Sequence, residues 1–204
     1  MAESPFIKFP QNGFDGLVFD LDGTLVDSMP AHFEAWCEAL ESYGAAGVFK
    51  EDVFYAMGGR PTQDIVRELN SEYDLHLDPD AVAFAKLECF MRHLERIVVH
   101  EEVVQFARSQ YGKVPMAVAT GGTRLVAEKT LQAVGLTELF DDVVTADDVK
   151  RGKPDPEVFL QAAERIGVVP ENCLALEDAP AGIMAAQMAG MDVLTVPAPC
   201  RLVN

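Results

Sequence analysis

Asp20 and Asp22 stand two residues apart, directly after the apolar run at 16–19 and directly before Gly23-Thr24. In an extended segment, side chains spaced by two point to the same side. A buried strand ending here would therefore deliver two carboxylates to one place, with Gly23 letting the chain turn away. Glu177-Asp178 follow the apolar run at 173–176 in the same way. Carboxylates gathered at neighbouring strand ends repel one another strongly when dry and unpaired. A hard divalent cation resolves the repulsion, because it takes carboxylates together with phosphate oxygens. Each pair also has a plain structural explanation: Asp-Gly turns a chain after a strand, and Glu177-Asp178 can cap a helix starting near Pro180, with Asp178 helping to do so.

Two further pieces suit an anion. Thr120-Gly121-Gly122 follow the run at 116–119 and offer a hydroxyl with backbone N–H groups at the start of a helix. Lys153 lies in Arg151-Gly152-Lys153-Pro154-Asp155-Pro156, a stiff turn that holds an ammonium in place. Taken alone, the first is an ordinary strand-to-helix turn and the second a solvated loop lysine. Together, each following a strand of one sheet, they describe a site for a phosphate and a divalent cation.

The elements that must position these residues are legible as short apolar runs at 16–19, 116–119, 142–145, 173–176 and 193–196, each bounded by turn residues. Helical patterns at 124–134, 156–166 and 180–189 alternate with them, and each ends at a glycine, Gly135, Gly167 or Gly190. Such alternation predicts an α/β fold with a Rossmann-like, doubly wound parallel sheet. From residue 30 to 96 strand-like runs give way to helical periodicity. Phe33, Trp36 and Leu40 share a helix face that stops at Gly44, and 62–69 and 80–94 also read as helices. The expected organisation is a core of residues 1–29 and 97–204 with a small helical cap, 30–96, inserted after the first strand.

A formal net charge of −17 over 204 residues disfavours nucleic acid and anionic lipid as partners. The first residues contain no apolar leader, and no stretch approaches about 18 uninterrupted apolar residues, so a cytoplasmic protein is expected. Cys37, Cys89, Cys173 and Cys200 show no CxxC or metal-type spacing and read as reduced thiols. Cys37 and Cys173, set in apolar runs, are expected to behave as small hydrophobes.

With Asp20–Thr24 as DLDGT, Thr120, Lys153 in GKPDP and Glu177-Asp178 in LEDAPAGI, the sequence resembles the haloacid dehalogenase-like hydrolases over essentially its whole length. It is most similar to the β-phosphoglucomutase-like branch and, within it, to short bacterial fructose-1-phosphate phosphatases. The resemblance implies that Asp20 is a nucleophile forming an aspartyl-phosphate and Asp22 the general acid and base. It implies Mg²⁺ held by the Asp20 carboxylate, the Asp22 carbonyl and Asp178, with Glu177 acting through water or behind these ligands. Thr120 and the Gly121 N–H would bind phosphoryl oxygens while Lys153 neutralises charge. His32 matches a cap histidine that faces the active site in related sugar-phosphate enzymes; a helix-start surface histidine is the equal alternative. Met57-Gly58-Gly59-Arg60-Pro61-Thr62 resembles the specificity loop of the branch. Thr62 stands where phosphosugar mutases carry an arginine for a second phosphate, and Arg60 sits two positions earlier. A monomeric phosphatase for a small phosphorylated metabolite is the expectation, and a phosphosugar mutase the alternative.

Overall fold

The computed structural model describes residues 7–10, 13–57 and 60–197. In chain order they form β1 (Gly16–Phe19), β2 (Val26–Asp27), α1 (Met29–Ser42), α2 (Glu51–Ala56), α3 (Thr62–Tyr73), α4 (Pro79–Arg92), β3 (Val98–Val99), α5 (Glu101–Gln110), β4 (Met116–Ala119), α6 (Arg124–Ala133), β5 (Asp142–Val144), α7 (Glu157–Arg165), β6 (Cys173–Glu177), α8 (Pro180–Met188) and β7 (Asp192–Thr195), joined by loops and 3₁₀ turns. The chain divides into two compact units, Met1–Asp27 with Val98–Asn204, and Ser28–Ile97. Among the described residues no helix is long and apolar enough to cross a membrane.

The first unit is built on a five-stranded sheet in the order β5-β4-β1-β6-β7, with every pairing parallel. This is the doubly wound α/β sheet that the strand and helix alternation predicts. β1, β4 and β6 are buried along their whole length, which is why they read as continuous apolar runs and not as alternating ones. Small residues let the helices approach closely. Ala162 and Ala163 of α7 and Ala185 and Ala186 of α8 share one buried cluster with Ala117, Ala119 and Ala175 of the sheet and with Phe159. Gly135, Gly167 and Gly190 follow α6, α7 and α8 with φ of +69°, +71° and +89°, the left-handed geometry of a helix stop.

A short antiparallel ribbon of β2 with β3 closes the points where the chain leaves the first unit and returns to it. Its two-residue strands are too short for any sequence period, and neither is foreseen from the residue pattern.

The helical unit packs its own core from Trp36, Leu40, Phe49, Phe54, Ile65, Val66, Leu69 and Val82. Trp36 meets Phe49 edge-on at 5.1 Å, and Phe49 meets Phe54 at 5.9 Å. α3 runs past Leu69 to Tyr73, and α4 starts at Pro79 behind an Asp78 cap whose carboxylate accepts the Asp80 N–H at 2.9 Å. One expectation is corrected here. Cys37 is exposed, because the buried stripe of α1 runs through Ala31, Ala35, Trp36, Ala39 and Leu40 and leaves position 37 outside it.

Candidate active site

Phe19, the last residue of β1, is in register with Val118 of β4 and Leu176 of β6. The next residue, Asp20, donates its N–H to the Leu176 carbonyl at 2.9 Å, so it emerges beside Glu177 at the carboxyl edge of the sheet. This is the edge at which open α/β sheets bind ligands, and β1 lies at the switch point between its two halves.

Lys153 closes the group. Its Nζ donates to Asp20 Oδ1 at 2.6 Å and to Glu177 Oε1 at 2.7 Å. The side chains of Lys153, Asp20 and Glu177 are only 12%, 8% and 2% exposed. The ammonium also lies 5.0 Å from the centre of the Phe159 ring, a favourable face for a desolvated cation. Asp20, Glu177 and Asp178 each bring one carboxylate oxygen within 4.8 Å of the others.

Glu177 and Asp178, the pair whose plain reading is a cap for the helix near Pro180, take different partners. Glu177 Oε2, not Asp178, accepts the Ala179 N–H at the start of α8, at 2.6 Å. Asp178 Oδ1 instead accepts the Thr24 hydroxyl at 3.0 Å. The reason is geometric: Glu177 still belongs to β6, and its longer side chain folds back towards the α8 backbone. A Cβ at Gly182 would lie 1.5 Å from Glu177 Oε1. Gly182→Ala is therefore expected to destabilise the fold by about 2 kcal/mol, as overpacking in a filled interior does. Chemical denaturation checks this, and an unchanged midpoint would contradict the close approach. Gly23 is similarly constrained, with φ +100° and Asp178 Oδ2 only 2.3 Å from the position of a Cβ.

Asp22 reaches the site by a turn and not by strand alternation. The Leu21 carbonyl accepts the N–H groups of Leu25 and Val26, both at 3.0 Å, and Gly23 N–H donates to the Val26 carbonyl at 2.7 Å. The turn brings Asp22 Oδ2 to 3.9 Å, and Thr120 Oγ1 to 3.4 Å, from the position of a Cβ on Gly122. Asp22 thus faces the loop after β4. In that loop Thr120 is buried, its N–H donates to the Val144 carbonyl at 2.9 Å, and its Oγ1 accepts the Gly122 N–H at 3.0 Å. A hydroxyl that accepts in this way keeps its own proton to donate.

Burial pushes the Asp20 carboxyl well above the usual carboxylate range; the Lys153 ammonium pulls it down, while Glu177 and Asp178 push it up. Burial and Glu177 raise Asp178 to about 6 against the Thr24 hydrogen bond. Burial also disfavours the Lys153 charge, yet Asp20 and Glu177 more than offset this and hold the ammonium above its ordinary value. One ammonium against three carboxylates leaves the group short of positive charge. Its oxygen-only donor set suits a hard divalent cation.

Of the residues singled out from sequence, Asp20, Lys153, Glu177 and Asp178 lie together, and Asp22 faces the Thr120–Gly122 loop. His32, Arg60 and Thr62 belong to the helical unit. There Lys86 Nζ donates to His32 Nδ1 at 2.9 Å, an ammonium having only donors to offer, and the His32 ring stacks on Phe90 at 4.0 Å. Arg60 pairs with Glu68 at 2.6 Å, and Thr62 opens α3. Gly58 and Gly59 of the expected specificity loop, and Cys200, lie outside the described residues. Sequence reasoning missed Thr24, Gly182 and Phe159 as parts of the site. Thr24 stands in the DLDGT run and Gly182 in the LEDAPAGI run, so both had a signal; Phe159 had none.

A family model for haloacid dehalogenase-like hydrolases matches residues 14–190. The chain is 41% identical over 183 residues to the fructose-1-phosphate phosphatase YqaB of Escherichia coli K12, covering 90% of this chain and 96% of that protein. It is 32% identical over 182 residues to the phosphorylated carbohydrates phosphatase of Thermotoga maritima, covering 87% and 82% of the two chains. The crystal structure of CbbY from Rhodobacter sphaeroides in complex with phosphate superposes with a TM-score of 0.80 at 23% identity, over 91% of this chain and 87% of that one.

Proposed function

The chain belongs to the haloacid dehalogenase-like hydrolases and is a phosphoric monoester hydrolase, and from that premise we propose that it removes phosphate from a small sugar phosphate through an aspartyl-phosphate on Asp20. The observation that carries the reading is Asp20 at the end of the central strand, 2.6 Å from Lys153 and grouped with Glu177 and Asp178. YqaB, named for fructose 1-phosphate, makes that ester the first substrate to test.

Asp20 attacks phosphorus with a carboxylate oxygen as the ester P–O bond breaks, and Asp22 gives the leaving alkoxide its proton. Asp22 then takes a proton from water, which attacks the aspartyl-phosphate, releases orthophosphate and restores Asp20. Thr120, through its hydroxyl proton, and the Gly121 N–H bind phosphoryl oxygens. Lys153 draws the Asp20 carboxyl down against the effect of its burial and offsets charge on the phosphoryl group. Asp20, Asp178 and the Asp22 carbonyl would hold Mg²⁺, with Glu177 behind them, and the ion would supply further charge neutralisation at the phosphoryl oxygens. Substrate selection falls to His32, Arg60 and Thr62 of the helical unit. A mutase is not favoured: YqaB and the Thermotoga maritima relative are named phosphatases, and Arg60 already sets its charge against Glu68. The same reading takes the protein as a cytoplasmic monomer without nucleic-acid or membrane partners, in keeping with its net charge of −17.

Purified protein is expected to release orthophosphate from fructose 1-phosphate or another sugar phosphate with Mg²⁺, and to stop when the ion is chelated. Silence across a broad panel of sugar phosphates, phosphoglycolate and nucleotides would end this reading. Mg²⁺ is also expected to raise the melting temperature, more at about pH 8 than at about pH 5, since ligands must give up their protons to bind a metal. The sign follows from Asp178, whose carboxyl at about 6 is mostly protonated at the lower pH. Melting curves with and without Mg²⁺ at the two pH values read it independently of activity.

A further inference from the structure

A dense set of polar contacts outside the carboxylate group lies at the turn after β5. Thr145 N–H and Oγ1 both donate to Asp148 Oδ2 at 2.8 Å, and Arg124 Nη2 donates to the same oxygen at 2.6 Å. Arg165 Nη2 donates to Asp148 Oδ1 at 2.8 Å, and Gln161 Nε2 to the Asp148 carbonyl at 3.0 Å. The Asp148 side chain is 17% exposed. Burial alone would raise its carboxyl, but the donors from Arg165, Thr145 and Arg124 hold it well below the usual carboxylate range. It is therefore a charged acceptor at any working pH.

The turn grips the loop after β4. Ala146 N–H donates to the Gly122 carbonyl at 3.0 Å, Asp147 Oδ2 accepts the Arg124 N–H at 2.8 Å, and the Arg124 guanidinium spans Asp148 and the Val143 carbonyl. On its other side it grips α7, through Arg165 and Gln161. α7 begins just after the loop that carries Lys153, and its Glu157 accepts the N–H groups of Lys150 and Arg151, both at 3.1 Å. Asp148 is thus the shared anchor of the Thr120–Gly122 loop and of the helix that ties down the Lys153 loop. None of its hydrogen-bond partners is Asp20, Glu177 or Asp178.

We propose that Asp148 is a positioning residue for phosphoryl transfer: it fixes Thr120 and Gly121 relative to Lys153, so that the phosphoryl group meets the loop and the ammonium together. The proposal rests on the reading of Thr120, Gly121 and Lys153 as phosphate-binding groups. Small displacements of such groups are costly, because the transition state gains only from groups already in place.

Asp148→Asn keeps the shape but turns an NH₂ group towards a set of donors. In folded D148N, binding of inorganic phosphate in the presence of Mg²⁺, read by calorimetry, is expected to weaken about tenfold, as a misplaced binding loop would. Binding of Mg²⁺ alone stays at the wild-type level, because the carboxylate group is untouched, and kcat for a substrate that the wild type hydrolyses falls. A merely structural brace would lower the melting temperature and leave phosphate affinity unchanged below it. Arg124→Lys removes the Nη2 group that bonds both the Val143 carbonyl and Asp148, is expected to shift phosphate binding in the same direction, and carries the test if D148N does not fold. Folded variants that bind phosphate like the wild type overturn the proposal. A wild type that binds phosphate but hydrolyses no ester fails the functional reading while leaving this one standing, and a wild type that binds no phosphate overturns both.

Discussion

Asp20→Asn is expected to reduce phosphate release by about 10⁴-fold or more, on the scale that loss of a covalent nucleophile costs enzymes, while leaving the metal-free fold at least as stable as the wild type. The first half follows from the chemistry, since an amide cannot attack phosphorus to open the covalent route. At 1.36 kcal/mol per factor of ten the loss is about 5 kcal/mol of barrier. The second half follows from electrostatics. Burial, with Glu177 and Asp178 nearby, raises the Asp20 carboxyl even against the pull of Lys153, so its surroundings on balance disfavour the charged form. A neutral side chain of the same shape removes that repulsion, and Lys153 keeps Glu177 as a partner at 2.7 Å. Phosphate release and melting temperature in the presence of a chelator test the two halves. Measurable turnover in pure D20N would remove Asp20 from the nucleophile's place, and a clearly lower metal-free melting temperature would show that the carboxylate is favoured where it stands.

That opposition between function and stability also explains why the site could be read from sequence at all. A buried strand has no use for an aspartate at its end, so Asp20 after Leu17-Val18-Phe19 and Glu177 after Cys173–Leu176 both break the local pattern, and such breaks mark functional positions. The parallel sheet does the rest. Once β1, β4 and β6 are adjacent, residues that follow them in sequence fall at one edge, whatever lies between them in the chain. The fold class was therefore accessible from apolar runs and turn residues, whereas Thr120 and Lys153 became site candidates only as members of a set with the carboxylates.

What stayed hidden depends on contacts over distance. No local pattern tells that Thr24 will donate to Asp178, 154 residues later in the chain, or that Glu177 will take the Ala179 N–H in place of Asp178. Which of two adjacent carboxylates turns inward is decided by where β6 ends. Gly182 reads as one small residue among others in α8; only the position of Glu177 Oε1 makes its missing side chain necessary. The β2 and β3 ribbon escapes for a different reason, because two residues per strand cannot show a period of two. Asp22 was placed in the site by an argument from strand alternation, yet it arrives by the turn around Leu21 and Gly23.

Lys153→Met should fail in both respects where D20N fails in one. Activity is expected to fall by about 10³-fold, comparable to removing a preorganised charge-stabilising donor. Here the fold is also expected to lose about 3 kcal/mol, because removing one partner of a buried ion pair leaves the other uncompensated. The raised ammonium reports that the surroundings of Lys153 favour its charge, the reverse of the situation at Asp20. Methionine fills much of the lysine's volume and still meets Phe159, so packing contributes little to the loss. The pH dependence separates this cause from any other. Without Lys153, Asp20 keeps its burial and the repulsion of Glu177 and Asp178, and its protonation becomes easier still in the folded state than in the unfolded one. For an acid raised in this way stability falls as pH rises, from the unfolded value near 4 up to the raised folded value. The deficit of K153M relative to wild type is therefore largest at about pH 8 and shrinks towards about pH 4, where the raised Asp20 carboxyl holds its proton. Denaturant titrations of metal-free protein across this range measure it. A deficit that is the same at both ends would mean that the ion pair does not carry the energy, and the electrostatic account of D20N would fall with it.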